Sequence, residues 1–410
     1  MTTDLQTIKL EKLIYGGEAL GRLPDGRAVF VPFGLPGETV CIRPLEQKRG
    51  HARAELVNIL EPSPDRISPK CVHFGICGGC HYQHMSYPDQ LNIKTEILRD
   101  QLTRIGKIKD PPVGKMIPSP SEWTYRNHIQ FHLTENGRPG YIDAIDRNVF
   151  PITECHLPVS ILNELWPRLD FEPGLRIERI SLRAGMDEET MLMLEGESPH
   201  APQLDLETSM SVVHLAGKDS IVMAGDDYVM MGVNDRQFQV SAASFFQVNT
   251  EMAGKMVDHL ISQLPVAPAA TMLDIYCGVG LFSAFFAPRT GRLIGIESSQ
   301  SACEDFTLNL DEFENIELYA APAEDVLPAL SVKPEIVIVD PPRQGLGKQV
   351  LDGLQAFENL TIAYVSCDPS TLARDAARLI AGGFRLVQVT PIDMFPQTFH
   401  IESISIFEKR

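Results

Sequence analysis

No apolar run in this chain approaches the roughly 20 residues needed to cross a bilayer. Its first residues, MTTDLQTIKLEK, lack the apolar core of a secretory signal, so a cytoplasmic location with no membrane partner is expected. Internal repeats and low-complexity tracts are missing too, which removes solenoid and disordered readings. Positive charge is in deficit, with 36 Lys+Arg against 54 Asp+Glu and a net charge of -18. That balance argues against a surface that binds nucleic acid by wholesale phosphate neutralisation. The deficit is uneven, however. Residues 1–60 hold eight Lys/Arg against seven Asp/Glu, and residues 91–130 hold seven against four, so a local basic track survives. A dense disulfide framework is also lacking. Cysteines stand at 41, 71, 77, 80, 155, 277, 303 and 367, and in a cytosolic chain clustered ones suggest metal while isolated ones suggest packing or catalysis.

What is present divides into three parts. At 410 residues the chain is too long for one small core. Residues 1–61 carry short alternating strands between glycine turns, among them TIKLEKLIYGG and GRAVFVPFGLPG, which predicts a small OB-like β-barrel. The proline-rich EPSPDRISP opens residues 62–240, where a cysteine-rich loop and the polar helical stretch DQLNIKTEILRDQLTRIG precede a β-rich α+β region. From 241 to 410 the apolar strands TMLDIYC, RLIGIESS, EIVIVDPP, LTIAYVSCD and FRLVQVTPID alternate with helical segments, the pattern of a doubly wound α/β domain.

Chemistry concentrates in that last part. In MLDIYCGVGLFS a strand enters a glycine turn and a helix, and the next strand ends at Glu297, the spacing at which an acidic side chain grips ribose hydroxyls. The turn is not GxGxxG, which lowers the case for a dinucleotide. Asp274 and Glu297 read alternatively as solvated strand ends. Downstream stand DPPRQG from Asp340, SCDPST from Ser366 and FPQTFHIES from Phe395. A cysteine, an acidic Asp-Pro-Pro turn and a late glutamate on a nucleotide-binding scaffold are the parts needed to methylate a pyrimidine carbon.

With these motifs the chain resembles the class I S-adenosylmethionine-dependent methyltransferases, and closely one branch, the RNA 5-methyluridine methyltransferases of 23S rRNA and tRNA. The resemblance spans essentially the whole chain, the N-terminal barrel included, which is similar to a TRAM domain. It implies a Rossmann-like catalytic domain in which Gln247, Tyr276, Glu297 and Asp340 contact the cofactor or the target base. Uracil C5 is too weak a nucleophile to take a methyl group unaided. A thiolate adding at C6 gives C5 carbanion character, and Cys367 is the expected nucleophile. Glu402 is the expected base that removes the C5 proton before the thiolate leaves. Asp340 can accept from uracil N3–H, which cytosine lacks. Arg343 and Arg374 are candidates for favouring the thiolate. The bland alternatives are a buried structural cysteine and a surface strand carboxylate. Many members of the branch carry Asn where Asp368 stands.

CVHFGICGGCHYQH places Cys71, Cys77 and Cys80 in one glycine-rich loop, with Cys155 as the obvious fourth ligand. Four cysteines suit zinc or an iron–sulfur cluster, and the resemblance implies [4Fe-4S] at these four residues. His73, His81 and His84 read as polar loop residues or RNA contacts. Lys48, Arg49, His51 and Arg53, with Arg22 and Arg27, form a basic strip expected to meet RNA, with Tyr15, Phe30 and Phe33 nearby. WTYRNHIQFH resembles the family's motif near the target nucleotide, which implies Arg126 and Asn127 as further RNA contacts, and Phe245 can pack on a flipped base. The whole reads as a monomeric enzyme methylating uridine C5, with 23S rRNA favoured because the barrel and the four cysteines resemble the rRNA-modifying members. The alternatives are tRNA methylation and a noncatalytic RNA-binding or RNA-folding protein on the same scaffold.

Overall fold

The computed structural model describes residues 5–144, 147–175, 177–198, 200–202, 209–217 and 219–410. Five strands open the chain: β1 (Gln6–Leu13), β2 (Glu18–Arg22), β3 (Ala28–Pro32), β4 (Thr39–Gln47) and β5 (His51–Glu61). They close into a barrel in the order β1-β2-β3-β5-β4. Alternation drives the closure, because Ile8, Leu10, Ala19, Val29, Val31, Val40, Ile42, Ala52 and Ala54 all point inward and are buried. The linker is fastened to the barrel by Glu38. Its buried carboxylate accepts from the amides of Leu35 (2.8 Å) and Ser63 (3.2 Å) and from Arg66 Nε (2.6 Å).

Helix α1 (Tyr87–Arg104) starts at Ser86, whose hydroxyl caps the Asp89 amide, with proline in the first turn. A mainly antiparallel sheet comes next, ordered β12-β11-β10-β9-β6-β7-β8. Its strands are β6 (His128–Leu133), β7 (Pro139–Ile142), β8 (Val149–Pro151), β9 (Arg179–Ala184), β10 (Thr190–Glu195), β11 (Ser211–Ala216) and β12 (Asp219–Ala224), with the short α2 (Ser160–Leu165) packed beside them. Hairpin β13 (Tyr228–Val233)–β14 (Arg236–Ser241) and helix α3 (Thr250–Gln263) lead into the last domain.

That domain alternates β15 (Thr271–Ile275), α4 (Leu281–Phe286), β16 (Arg292–Glu297), α5 (Gln300–Asn309), β17 (Ile316–Ala320), α6 (Ala323–Val326), β18 (Ile336–Val339), α7 (Lys348–Ala356), β19 (Leu360–Ser366), α8 (Pro369–Ala381), β20 (Arg385–Ile392) and β21 (Glu402–Lys409). The sheet order is β17-β16-β15-β18-β19-β21-β20, the first five strands parallel and β21 inserted antiparallel between β19 and β20. Strand order reverses at β15, and a doubly wound sheet opens its ligand crevice at the carboxyl ends beside that reversal. Tyr276, Glu297, Asp340 and Cys367 each immediately follow or end one of these parallel strands. Because β21 runs the other way, with Ser403 opposite Ser366, its first residue, Glu402, arrives at the same edge. One apolar cluster joins the barrel, Ile97, Leu98 and Leu102 of α1, Leu372 and Ala376 of α8, and this sheet. The barrel is thereby packed onto the catalytic layer.

Candidate active site

Cys367 owes its position to the two residues after it. Asp368 has extended backbone and caps α8, its Oδ1 accepting from the Ser370 (2.8 Å) and Thr371 (3.0 Å) amides, while Pro369 supplies a helical φ in the first turn. SCDPST thus presents the thiol at a strand-to-helix junction. The glycine turn after β15 is similarly determined: Gly280 has φ +91°, and a Cβ there would lie 2.2 Å from Leu310 Cδ1. Tyr276, a non-glycine residue with φ +66°, shares that left-handed region at the mouth of the crevice.

A cavity of about 1030 Å3 is lined by Phe245, Gln247, Tyr276, Glu297, Asp340, Arg343, Cys367, His400 and Glu402. Every catalytic and cofactor-contact residue expected from sequence therefore faces one space. Its size is at the top of the roughly 300–1,000 Å3 range of ligand pockets, as a site for a nucleoside-bearing cofactor beside an extruded base requires. Glu297 is fixed by the Gly278 amide on Oε2 (3.0 Å) and by the Ser298 and Ser299 amides on Oε1 (2.7 and 2.8 Å). Gln247 is held through its backbone, whose carbonyl accepts from Asn127 Nδ2 at 2.9 Å.

The electrostatics are those of crowded acids. Burial, then Asp274, pushes Asp340 up to about 7. Burial, then the Asp340 charge, holds Glu402 well above the usual carboxylate range, against the pull of Arg343. Glu402 is 4% exposed and its Oε1 has no hydrogen-bond partner, which rules out a surface strand carboxylate. Cys367 is pushed up to about 12 by burial, then by Glu402 and Asp340, with Arg343 lowering it. Arg374, the other candidate cation, is committed to Asp375 (2.8 Å) and to the Gln344 carbonyl (2.8 Å). Asp274 is fully buried and accepts from Ser283 Oγ at 2.6 Å, so it is not a solvated strand end either.

Residues 202–410 match the family model for tRNA (Uracil-5-)-methyltransferase, and residues 2–57 match that for the TRAM domain. The chain belongs to the RNA uracil-5-methyltransferase family. It is 34% identical to an uncharacterised RNA methyltransferase of Aquifex aeolicus, with 98% of each chain covered. To one of Thermotoga maritima it is 31% identical, over 97% of this chain and 98% of the other. Its fold matches the crystal structure of Pyrococcus abyssi tRNA (uracil-54, C5)-methyltransferase in complex with S-adenosyl-L-homocysteine, with a TM-score of 0.74 at 26% identity over 98% of this chain and 100% of that one. The protein is an S-adenosylmethionine-dependent RNA (uracil-C5) methyltransferase.

In this methyltransferase Cys71, Cys77, Cys80 and Cys155 line a second, smaller cavity of about 80 Å3, walled by Ile129, Tyr141, Ile152 and Leu157. Burial pushes Cys77 up to about 11 and Cys80 up to about 12. Arg126 lines the same cavity, with a buried Nε that has no hydrogen-bond partner. Among the described residues no three of His, Cys, Asp and Glu are gathered so as to hold a metal ion. The four thiols share a void instead.

Several expected RNA contacts are turned inward. Arg126 faces the cysteines and lies over the Phe395 ring (5.9 Å), and Asn127 is buried under Gln247. His84 is buried against Phe74 (5.2 Å), and His81 packs edge-on to Phe399 (4.6 Å). Residue type gave no sign of this, because Phe395 and Phe399, which cover Arg126 and His81, come from a distant segment. Phe245, 72% exposed at the cavity, is free to meet a base. In the barrel strip Lys48 pairs with Glu46 (2.9 Å), Arg53 with Glu18 (3.5 Å) and Arg22 with Glu11 (3.6 Å). Pairs between exposed side chains are worth about 0–1 kcal/mol, and of these three only Arg53–Glu18 has a partly buried partner, Glu18.

Sequence reasoning missed the ties that set the FPQTFHIE segment. Lys94 Nζ pairs with Asp393 Oδ1 at 2.6 Å, both side chains fully buried, and also donates to the Phe395 carbonyl (3.0 Å). Gln90 Nε2 donates to Gln397 Oε1 (3.0 Å), and the Gln397 amide returns a bond to Gln90 Oε1 (3.0 Å). One signal was available, since Lys94 shares a helical face with Gln90, Ile97 and Leu98, an unusual seat for a lysine.

Proposed function

We propose that the enzyme methylates C5 of a uridine in 23S rRNA, with Cys367 as nucleophile and Glu402 as general base. The observation that carries this reading is the single cavity shared by Cys367, Glu402, Asp340, Gln247 and Glu297. S-adenosylmethionine would supply an electrophilic methyl group on sulfur, and Glu297 and Tyr276 at the glycine turn are the residues that would hold it. Cys367 Sγ bonds to uracil C6, and the ring electrons move to C5 and O4. C5 takes the methyl as the bond from that methyl to the sulfonium sulfur breaks and S-adenosyl-L-homocysteine departs, after which Glu402 removes the C5 proton and the C6–S bond breaks to restore the uracil ring and the thiolate. One proton is released per turnover.

The free thiol is protonated, because burial and the two carboxylates disfavour its anion. Thiolate formation therefore belongs to the loaded site, where a bound sulfonium would add positive charge to that of Arg343. Burial and the Asp340 charge hold Glu402 above the usual carboxylate range, which suits a base that must be ionised only late. Asp340 holds the uracil edge in this scheme, and Gln247 steadies the ring.

For the second cavity we infer a [4Fe-4S] cluster on Cys71, Cys77, Cys80 and Cys155. Four thiols around one apolar void, beside a guanidinium whose Nε has no partner, suit a bulky anionic cluster better than a single zinc ion, whose ligands converge at about 2.3 Å. Its role is to fold the central region and, through Arg126 over Phe395, to firm the wall of the uridine pocket. Barrel residues 1–61 serve as an RNA-binding unit.

The barrel with four cysteines supports 23S rRNA, through the resemblance to its modifying enzymes. A tRNA substrate is the second reading, favoured by the archaeal structure whose named substrate is uracil-54 of tRNA. Methyl transfer from labelled S-adenosylmethionine to unmodified 23S rRNA and to tRNA, with the product nucleoside identified by mass spectrometry, separates them. Label in 5-methyluridine of 23S rRNA alone supports the proposal, and label in tRNA alone overturns the rRNA assignment.

A further inference from the structure

The barrel touches the catalytic domain at an unusual place. Tyr15, in the Tyr-Gly-Gly turn between β1 and β2, donates its hydroxyl to Asp368 Oδ2 at 3.0 Å. Asp368 is the residue after Cys367, and its other oxygen caps α8 through the Ser370 and Thr371 amides. Its carbonyl also accepts from Ser366 Oγ (3.0 Å), Thr371 Oγ1 (3.2 Å) and the Leu372 amide (3.1 Å), so the Asp368–Pro369 peptide is held by three donors. The turn itself cannot drift. Gly17 has φ +83°, and a Cβ there would lie 2.9 Å from His81 Cβ. The Tyr15 ring meets Phe399 edge-on at 5.5 Å, and Phe399 packs on His400 (4.3 Å), which lines the uridine cavity. Burial, then the Asp368 carboxylate, keeps the phenol protonated and therefore a donor.

We infer that Tyr15 is a positioning residue of the methyl-transfer reaction: by holding Asp368 it fixes the helix start that presents Cys367, making barrel docking a condition of nucleophile presentation. The inference rests on Cys367 as the nucleophile. Tyr15 does not line the cavity, so it acts through Asp368 rather than on substrate. RNA engaged by the barrel and reactivity at Cys367 are then linked, since whatever seats the β1–β2 turn also seats the thiol.

The test uses the full-length protein and two variants that approach the bond from opposite sides. Tyr15→Phe keeps the ring against Phe399 and removes the donor. Asp368→Ser keeps a helix-capping oxygen and removes the acceptor. Each lowers kcat about tenfold with KM for RNA unchanged within about twofold, as loss of one charge-assisted hydrogen bond acting on chemistry rather than binding requires. Combined, they cost no more than either alone. A second readout is alkylation of Cys367 by iodoacetamide against pH, followed on its own peptide in protein without RNA. The charged and titratable groups facing this thiol are Glu402, Asp340, Arg343 and Asp368, with Tyr15 beyond Asp368. Without the phenol the Asp368 charge is less shared, and the alkylation profile moves to higher pH.

Effects that multiply in the double variant overturn the inference. So does a rise in KM with kcat intact, which makes the barrel only an RNA tether, or an alkylation profile unmoved by Tyr15→Phe. Cys367→Ala runs beside them: methyl transfer that survives it overturns the nucleophile reading itself, whereas its loss with independent Tyr15 and Asp368 effects overturns only the positioning role.

Discussion

Replacing Lys94 by methionine should loosen the segment that carries the catalytic edge while leaving the rest of the sheet intact. The ammonium of Lys94 lies 2.6 Å from Asp393 Oδ1 with both side chains fully buried, and it also caps the Phe395 carbonyl. Burial pulls the lysine below its ordinary range, and Asp393 pulls it back. Removing one partner of such a pair costs about 3–5 kcal/mol, because the other charge stays buried and unpaired. The Tyr87 hydroxyl interacts with the same carboxylate, which sets the cost at the lower end of that range. If the loss is local, about 3 kcal/mol raises segmental opening roughly a hundredfold. Hydrogen exchange reads this directly. The His81 and Tyr82 amides both donate to the Gln397 carbonyl, and the Gln397 amide donates to Gln90. These three should exchange roughly a hundredfold faster in Lys94→Met, with β15 and β18 amides unchanged. The double variant Lys94→Met/Asp393→Leu should recover most of the protection, since a packed apolar pair replaces a buried ion pair at little cost. Wild-type exchange in the single variant, or no recovery in the double, would refute the reasoning and place control of the segment elsewhere.

Glu402→Gln keeps the shape of the base and removes its basicity. It should lower turnover by about 10²–10⁴ and accumulate a protein–RNA adduct resistant to denaturation, visible as a shifted band. Alkylation of Cys367 in RNA-free protein should be slow at neutral pH and climb with pH into the alkaline range, because burial and two carboxylates raise its thiol to about 12. Arg343→Gln removes the one group that lowers it and should shift that rise further upward; a profile centred near an ordinary thiol would contradict this account. Cys155→Ser should lose most of the bound iron and sulfide found by chemical analysis of anaerobically purified protein, and a full complement in that variant would remove Cys155 as a ligand.

The motifs that were legible are those in which chemistry and backbone signal coincide. SCDPST is at once proposed nucleophile, helix cap and helix-start proline, and DPPRQG and GIESS end apolar strands, so each fell at the carboxyl edge of the sheet as expected. Strand β21 was harder to read, because nothing local says that a C-terminal strand inserts antiparallel between two others. That insertion is what brings Glu402 to the thiol edge. Least legible were pairs joined only by the fold: Tyr15 with Asp368, 353 residues apart, and Lys94 with Asp393, 299 apart. Arg126 shows the limit of reading by motif. The likeness of WTYRNHIQFH to a nucleotide-contacting motif implied an RNA contact, yet here Arg126 lines the cysteine cavity.

The central claim is that Cys367 attacks uracil C6, and RNA bearing 5-fluorouridine tests it most directly. Fluorine at C5 cannot leave as a proton does, so the sequence stalls after methyl transfer with protein and RNA still joined. With S-adenosylmethionine the wild-type enzyme should form a denaturation-resistant complex whose cross-linked peptide contains Cys367, and Cys367→Ala should form neither complex nor 5-methyluridine. An adduct on another residue, or 5-methyluridine made by Cys367→Ala, would contradict it.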